Sequence, residues 1–180
     1  MIHAVNNGYG SQQKFELTVK GTDFLIGTSP PAQAIFGGYV AYQYTKAVDD
    51  SALGAVPIPS NLSPGTIITA DVVEIGTSIA GDVRYNLVYE ALKVDGTEAI
   101  GGGGIGTLDS GDITVPGVAN TPHTINLGNI PAADVEGSDA LALILTRENL
   151  IGGGGDPGVD PGIMYLRLRI SNDAFQANAQ

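Results

Sequence analysis

The sequence predicts an all-β chain: an antiparallel two-sheet β-sandwich led by an extended N-terminal arm. Three observations point there. Residues 81–94, GDVRYNLVYEALKV, hold the longest uninterrupted strand pattern, with Val83, Tyr85, Leu87 and Tyr89 on one side of a pleated ribbon and Arg84, Asn86 and Glu90 on the other. Other strand-like runs recur at short intervals, and the 26 Gly and 10 Pro fall between them rather than in one block. A helical turn is expected only at residues 131–135, PAADV. A strand with one dry and one wet face belongs to an antiparallel sheet, and two such sheets bury their dry faces against each other.

Residues 1–13 are polar and without periodicity, an extended lead. Residues 14–20, KFELTVK, alternate Phe15, Leu17 and Val19 against Glu16, Thr18 and Lys20, and a short apolar piece at 24–26 ends at Thr28-Ser29-Pro30-Pro31. Residues 1–35 therefore form an arm with a short strand or hairpin. A unit this small is not stable alone, so it must pack on the main body or on a neighbouring subunit.

The sandwich spans residues 36–172, and residues 173–180 are a polar tail. Residues 37–48 place Tyr39, Ala41 and Gln43 on one face and Val40, Tyr42 and Tyr44 on the other. In residues 55–65, AVPIPSNLSPG, the prolines Pro57, Pro59 and Pro64 remove ladder donors, so this is a sheet-edge or crossing segment. Residues 66–75, TIITADVVEI, are the next strand, with Asp71 and Glu74 blurring its two faces. Residues 97–108 are broken by Gly101 to Gly104, and 112–115 and 123–127 are short β pieces. Residues 140–146, ALALILT, read as a near-continuous apolar strand. Residues 162–171, GIMYLRLRIS, alternate Met164, Leu166, Leu168 and Ile170 against Tyr165, Arg167 and Arg169. These two are expected to be hairpin partners across a long turn at 148–161 that carries two Asp-Pro-Gly triplets.

Composition narrows the functions. A chain of 180 residues can bury roughly 70% of its unfolded surface, enough for one real core. Charged residues make up 15%, against about 25% in an average soluble domain. The net charge of -11 repels phosphate backbones, so no nucleic-acid partner is expected. The absence of Cys excludes disulfides, thiolate metal sites and a Cys nucleophile. MIHAVNNGYG lacks the basic-then-apolar order of a secretory signal, and no apolar run approaches the roughly 20 residues that span a bilayer, so no membrane is expected either.

The candidates for chemistry are weak ones. Gly101, Gly103 and Gly106 satisfy the spacing of a dinucleotide-binding loop, but turn and strand follow where a helix is required, so a kinked strand is expected and no cofactor. Gly152 to Gly155 are not followed by the Lys of a phosphate loop. His3 and His123, the two imidazoles, show no metal-ligand spacing and are expected in solvent or turns. No Ser lies in a nucleophile elbow. Asp156 and Asp160, with Glu148 and Asp139 near in sequence, could offer oxygens to calcium, but the spacing matches no EF-hand loop and Asp before Pro-Gly suits a turn by itself. Asn61-Leu62-Ser63 is a chance glycosylation sequon without a secretion signal. Tyr39, Tyr42, Tyr44, Tyr85, Tyr89 and Tyr165 could line a sugar-binding face, yet their amphipathic rings suit core and subunit interfaces better. No catalytic, cofactor-binding or metal residue is therefore assigned.

The order of these features, AVPIPSNLSPG, TIITADVVEI, GDVRYNLVYEALKV, NTPHTINLGNIPAADVEGSDALALILTRENL and GIMYLRLRIS, covers about three quarters of the chain. It resembles a jelly-roll-like β-sandwich that recurs in virion structural proteins of tailed bacteriophages. The first aromatic of residues 81–94 is often Trp in that family and here is Tyr85. The resemblance implies a non-enzymatic capsid decoration, or cement, protein on the virion surface, whose partners are the major capsid protein or other virion proteins and copies of itself, with a trimer favoured. The alternative it leaves is a receptor-binding or carbohydrate-binding module of a tail fibre or tail tip.

Overall fold

The computed structural model describes residues 3–4, 15–20, 25–26, 31–44, 51–58, 66–76, 78–93, 105–135, 140–148 and 160–170. In chain order its elements are β1 (His3–Ala4), β2 (Phe15–Lys20), β3 (Leu25–Ile26), β4 (Ala32–Phe36), β5 (Tyr39–Gln43), β6 (Ser51–Pro57) and β7 (Ile68–Ile75). After these come β8 (Gly81–Val83), β9 (Tyr85–Leu92), β10 (Ile105–Asp109), β11 (Ile113–Val115), β12 (Pro122–Ile130), the single turn α1 (Ala132–Val135), β13 (Ala140–Arg147) and β14 (Gly162–Ile170).

Every ladder among the described residues is antiparallel. In the larger sheet β14 is central: β7 and then β12 lie on one side, and on the other its length is shared between β2, continued by β1, and β5, continued by β4. The smaller sheet runs β10-β9-β13-β6-β3, and β8 pairs with β11 apart from both. Eight of these strands make two facing rows, β2-β14-β7-β12 and β6-β13-β9-β10. Strands from both halves of the chain alternate within each row, which is the strand order of a jelly roll.

The core follows from period-two alternation. Tyr85, Leu87, Tyr89 and Ala91 of β9, Leu141, Leu143 and Leu145 of β13, and Leu166, Leu168 and Ile170 of β14 are all buried between the sheets. Leu17 and Val19 of β2 join them, so the strand of the N-terminal arm packs on the main body.

Four expectations need correction. The strands β13 and β14 are not hairpin partners: β13 lies between β9 and β6, and β14 lies in the opposite sheet. Both carry one buried face, β13 along its length and β14 from Leu166 onward, which suits strands meeting across a core as well as strands side by side, and the connection at 149–159 has enough residues to cross the roughly 10 Å between sheets. Second, residues 81–94 form two strands broken at Arg84, because β8 turns away to pair with β11 while β9 pairs with β10 and β13. Third, residues 55–57, read as the start of a sheet-edge or crossing segment, are the end of β6, which begins at Ser51; its last residue, Pro57, is laddered to Ala140 at the strand end, where a missing donor costs least. Fourth, Met164 is not a full core residue. An irregularity between Ile163 and Tyr165 turns Ile163 inward and leaves Met164 half-buried.

Candidate functional site

The most unusual chemistry lies inside the sandwich. Glu74 shares the inward parity of Ile68, Ala70 and Val72 on β7, and Arg147 shares that of Leu141, Leu143 and Leu145 on β13, so the alternation that builds the core carries both ionisable groups into it. The Tyr85 hydroxyl donates to Glu74 Oε2 at 2.7 Å, while Glu74 Oε1 is buried with no hydrogen-bond partner among the described residues. Burial pushes the Glu74 carboxyl up to about 7, against the Tyr85 hydrogen bond and the Arg147 charge, which both lower it. Burial, and then the neighbouring Glu74, raise the Tyr85 phenol well above its ordinary range. Arg147 Nη1 donates to the Tyr44 main-chain oxygen at 3.2 Å and lies 3.5 Å from Asp160 Oδ1.

That cluster is sealed, since Glu74, Tyr85 and Arg147 have no exposed surface. Its chemistry is structural: it joins β7, β9 and β13 to Tyr44, just after β5, and Asp160, just before β14, at one end of the sandwich. His123 stands opposite Glu74 in the β12–β7 ladder. It is not the solvent or turn residue that the sequence suggested: the ring lies against Gly76, where an added Cβ would sit 2.5 Å from Nε2, and that nitrogen is buried with no hydrogen-bond partner among the described residues. His3 falls on β1.

A second cluster lies on the outer face of the larger sheet. Arg167 donates from Nε and Nη2 to Asp71 Oδ2 at 3.2 and 3.1 Å, and Arg169 Nη2 and Asn126 Nδ2 donate to Oδ1 at 3.2 and 2.9 Å. Arg169 Nε sits 2.8 Å from Oδ2 as a close charge contact without hydrogen-bond alignment. The two arginines cover Asp71, which is buried although it points away from the core.

A third cluster surrounds Arg84 at the break between β8 and β9. Its guanidinium bonds Asp109, lies 3.1 Å from Glu148 Oε2 and 3.7 Å from Asp112, and holds the Asp109 carboxyl below its ordinary range. Of the residues weighed for calcium, Glu148 is engaged by Arg84 and Asp160 by Arg147, so the two serve different arginines; Asp139 and Asp156 lie outside the described residues. The sequon at Asn61 and the glycines Gly101, Gly103 and Gly152 to Gly155 also lie outside them. Among the described residues, no group of three or more His, Asp and Glu is placed to hold a metal ion, and no helix is long and apolar enough to cross a membrane.

The tyrosines divide sharply. Tyr42, Tyr44, Tyr85 and Tyr89 are buried and Tyr165 is half-buried, leaving Tyr39 exposed at 64%. The outer face of the smaller sheet carries a depression of about 130 Å³, lined by Val88, Tyr89, Glu90, Ile105, Ala142 and Ile144.

No known protein family matches the sequence, and no curated protein does. Solved structures resemble the fold at low identity. CBM35 from Cellvibrio japonicus Abf62 is 13% identical with a TM-score of 0.46, over 85% of this chain and 91% of that one. The VP2 subviral particle of infectious bursal disease virus is 15% identical with a TM-score of 0.45, and the match spans 93% of this chain but 35% of VP2. The Podospora anserina GH26-CBM35 β-(1,4)-mannanase is 14% identical with a TM-score of 0.42, over 85% of this chain and 27% of that one. The structures that this chain resembles thus include a carbohydrate-binding module and viral capsid proteins.

Proposed function

We propose that this chain is a non-enzymatic structural protein of a virion, a decoration or cement protein that binds and stabilises a capsid shell. The observation that carries the reading is the division between a sealed polar interior and an apolar exterior. Glu74, Tyr85 and Arg147 are out of reach of any substrate, whereas Ile35, Tyr39 and Val40 project from one hairpin and Ile105 and Ile144 from an outer sheet face. Exposed apolar groups gathered on a few surfaces serve contact with other macromolecules. A low charge density suits packing against a large protein surface, and a jelly roll is an architecture of capsid proteins and of lectins alike.

Between those two uses, the tyrosines favour the first. Sugar recognition on an open face needs aromatic rings that stack, and five of the six described tyrosines are turned inward or half-covered. Self-association belongs to the same reading; a trimer is what the family resemblance implies.

The test is to mix the protein with empty shells of the major capsid protein encoded alongside it, and to follow co-sedimentation and the melting of the shell. Binding with a raised shell melting temperature is expected. A protein that ignores shells and instead binds a glycan array is a carbohydrate-binding module, and the proposal fails.

A further inference from the structure

Sheet edges are where an all-β protein must prevent unwanted pairing, by shortness, charge, proline, a bulge or a cover. The described edges here are protected, with one exception. β1 and β3 are two residues each. β12 opens on Pro122 and is broken by a register shift between Asn126 and Gly128. β10 ends on Asp109, which Arg84 holds.

β4 has none of these devices. It runs five residues, Ala32–Phe36, in continuous register with β5, carries no charge and no proline, and pairs with no other described strand. It is also apolar and open: Ile35 is 76% exposed, and its cross-strand partner Val40 53%.

Charge selects the occupant. The chain carries a net -11, yet residues 24–45 hold no Asp, Glu, Lys, Arg or His. A basic partner would be drawn to the acidic surface elsewhere. Two copies of one acidic chain repel, and approach most easily through the segment that bears no charge.

We propose that β4 pairs antiparallel with β4 of a second copy of this chain across a two-fold axis, joining two larger sheets into one. Centred on Ala34, that register sets Gln33 against Ile35 and Ala32 against Phe36, with only a methyl group at the axis. The Ile35 and Val40 side chains then meet the partner's hairpin. This contact deepens the assembly reading and rests on it, and it predicts pairs rather than the trimer implied by resemblance.

The full chain is measured by native mass spectrometry and sedimentation velocity, with hydrogen exchange as the local readout. A two-copy species is expected, tighter in high salt than in low because screening reduces the repulsion, with slowed exchange at residues 32–36. Ile35→Glu places like charges near the axis, and at least a tenfold weaker association is expected, with unchanged circular dichroism. Val40→Glu, on the neighbouring strand, is expected to act in the same direction without altering the paired edge. A monomer at every concentration, a three-copy mass, or pairs that persist in both variants would each overturn the proposal. Shell binding is scored separately. A monomeric Ile35→Glu that still binds shells leaves the assembly role standing, whereas intact pairs that never bind shells sink that role alone.

Discussion

The Tyr85 hydroxyl donates a 2.7 Å hydrogen bond to Glu74 among the buried side chains at one end of the core, and the other oxygen of the same carboxyl has no hydrogen-bond partner among the described residues. Burial holds this carboxyl at about 7 in the fold, against an ordinary 4.5. An acid with a raised folded-state pKa is more stable protonated, so its contribution is complete below pH 4.5 and is lost as pH rises through about 7. The loss across that window is on the order of 3 kcal/mol. Urea unfolding between pH 4.5 and 8 checks this: Glu74→Gln, which is neutral throughout, is expected to remove the downward slope. Equal slopes in parent and variant would mean that Glu74 is ionised in the fold.

Leu143→Asp and Leu168→Asp are each expected to unfold the protein. Both side chains are buried in the apolar core, one in each sheet, so a carboxylate there would lose its hydration. The cost, more than about 4 kcal/mol, rivals the whole stability of a small domain. Circular dichroism and melting decide it; a variant that melts like the parent would place that strand's apolar face outside the core.

Much of this fold was legible because alternation is a local signal. Leu87 and Leu168 face inward simply because their neighbours two residues away do. What alternation cannot carry is which strand lies beside which: nothing in ALALILT and GIMYLRLRIS tells strands side by side from strands face to face, and they proved to be the latter. It also fails where the parity rule and residue polarity disagree. Glu74 and Arg147 fall at inward positions, and polarity argued for the surface; parity prevailed because Tyr85, the Tyr44 carbonyl and Asp160 offer partners from distant parts of the chain. The exposed edge of β4 was hidden for the same reason, since an edge is a property of sheet order.

Gly106→Ala is expected to destabilise by about 1–3 kcal/mol. Gly106 faces Tyr89 in the β10–β9 ladder, and an added Cβ would fall 2.1 Å from the phenol end of that ring. The ring has little freedom to move, because its hydroxyl donates to Asp134. Melting of the single variants and of Gly106→Ala with Tyr89→Ala checks it: the double variant should lose less than the sum of the two singles, as clashing neighbours do. Strict additivity would show that the two do not touch.

Removing residues 1–13 is expected to leave the fold intact while weakening assembly. β1 contributes a two-residue ladder at the sheet rim, whereas β2 is held by β14 from Phe15 to Lys20. The shortened chain should keep its circular dichroism and melt within about 3 °C of the parent, the equivalent of roughly 1 kcal/mol for a chain of this length. Loss of folding would show that the lead belongs to the sandwich.

Asp71→Ala is expected to cost about 2–3 kcal/mol, and to cost more than removing either arginine. Arg167 and Arg169 stand two residues apart on one face of β14, so their guanidiniums share a single counter-charge, and the Asn126 amide uses the same carboxylate. Without it, two like charges crowd each other and three donor groups lose their acceptor at once. Both arginines are partly exposed, at 22% and 40% of their side-chain surface, so water and salt offset part of the loss, and the deficit should shrink when salt is raised to about 0.5 M. Replacing Asp71, Arg167 and Arg169 together with Val, Thr and Thr should fall closer to the parent than Asp71→Ala alone, because no charge is then left uncompensated. Urea midpoints at low and high salt measure all of these. A parent-like Asp71→Ala would show that the arginines are held by solvent and not by this carboxylate.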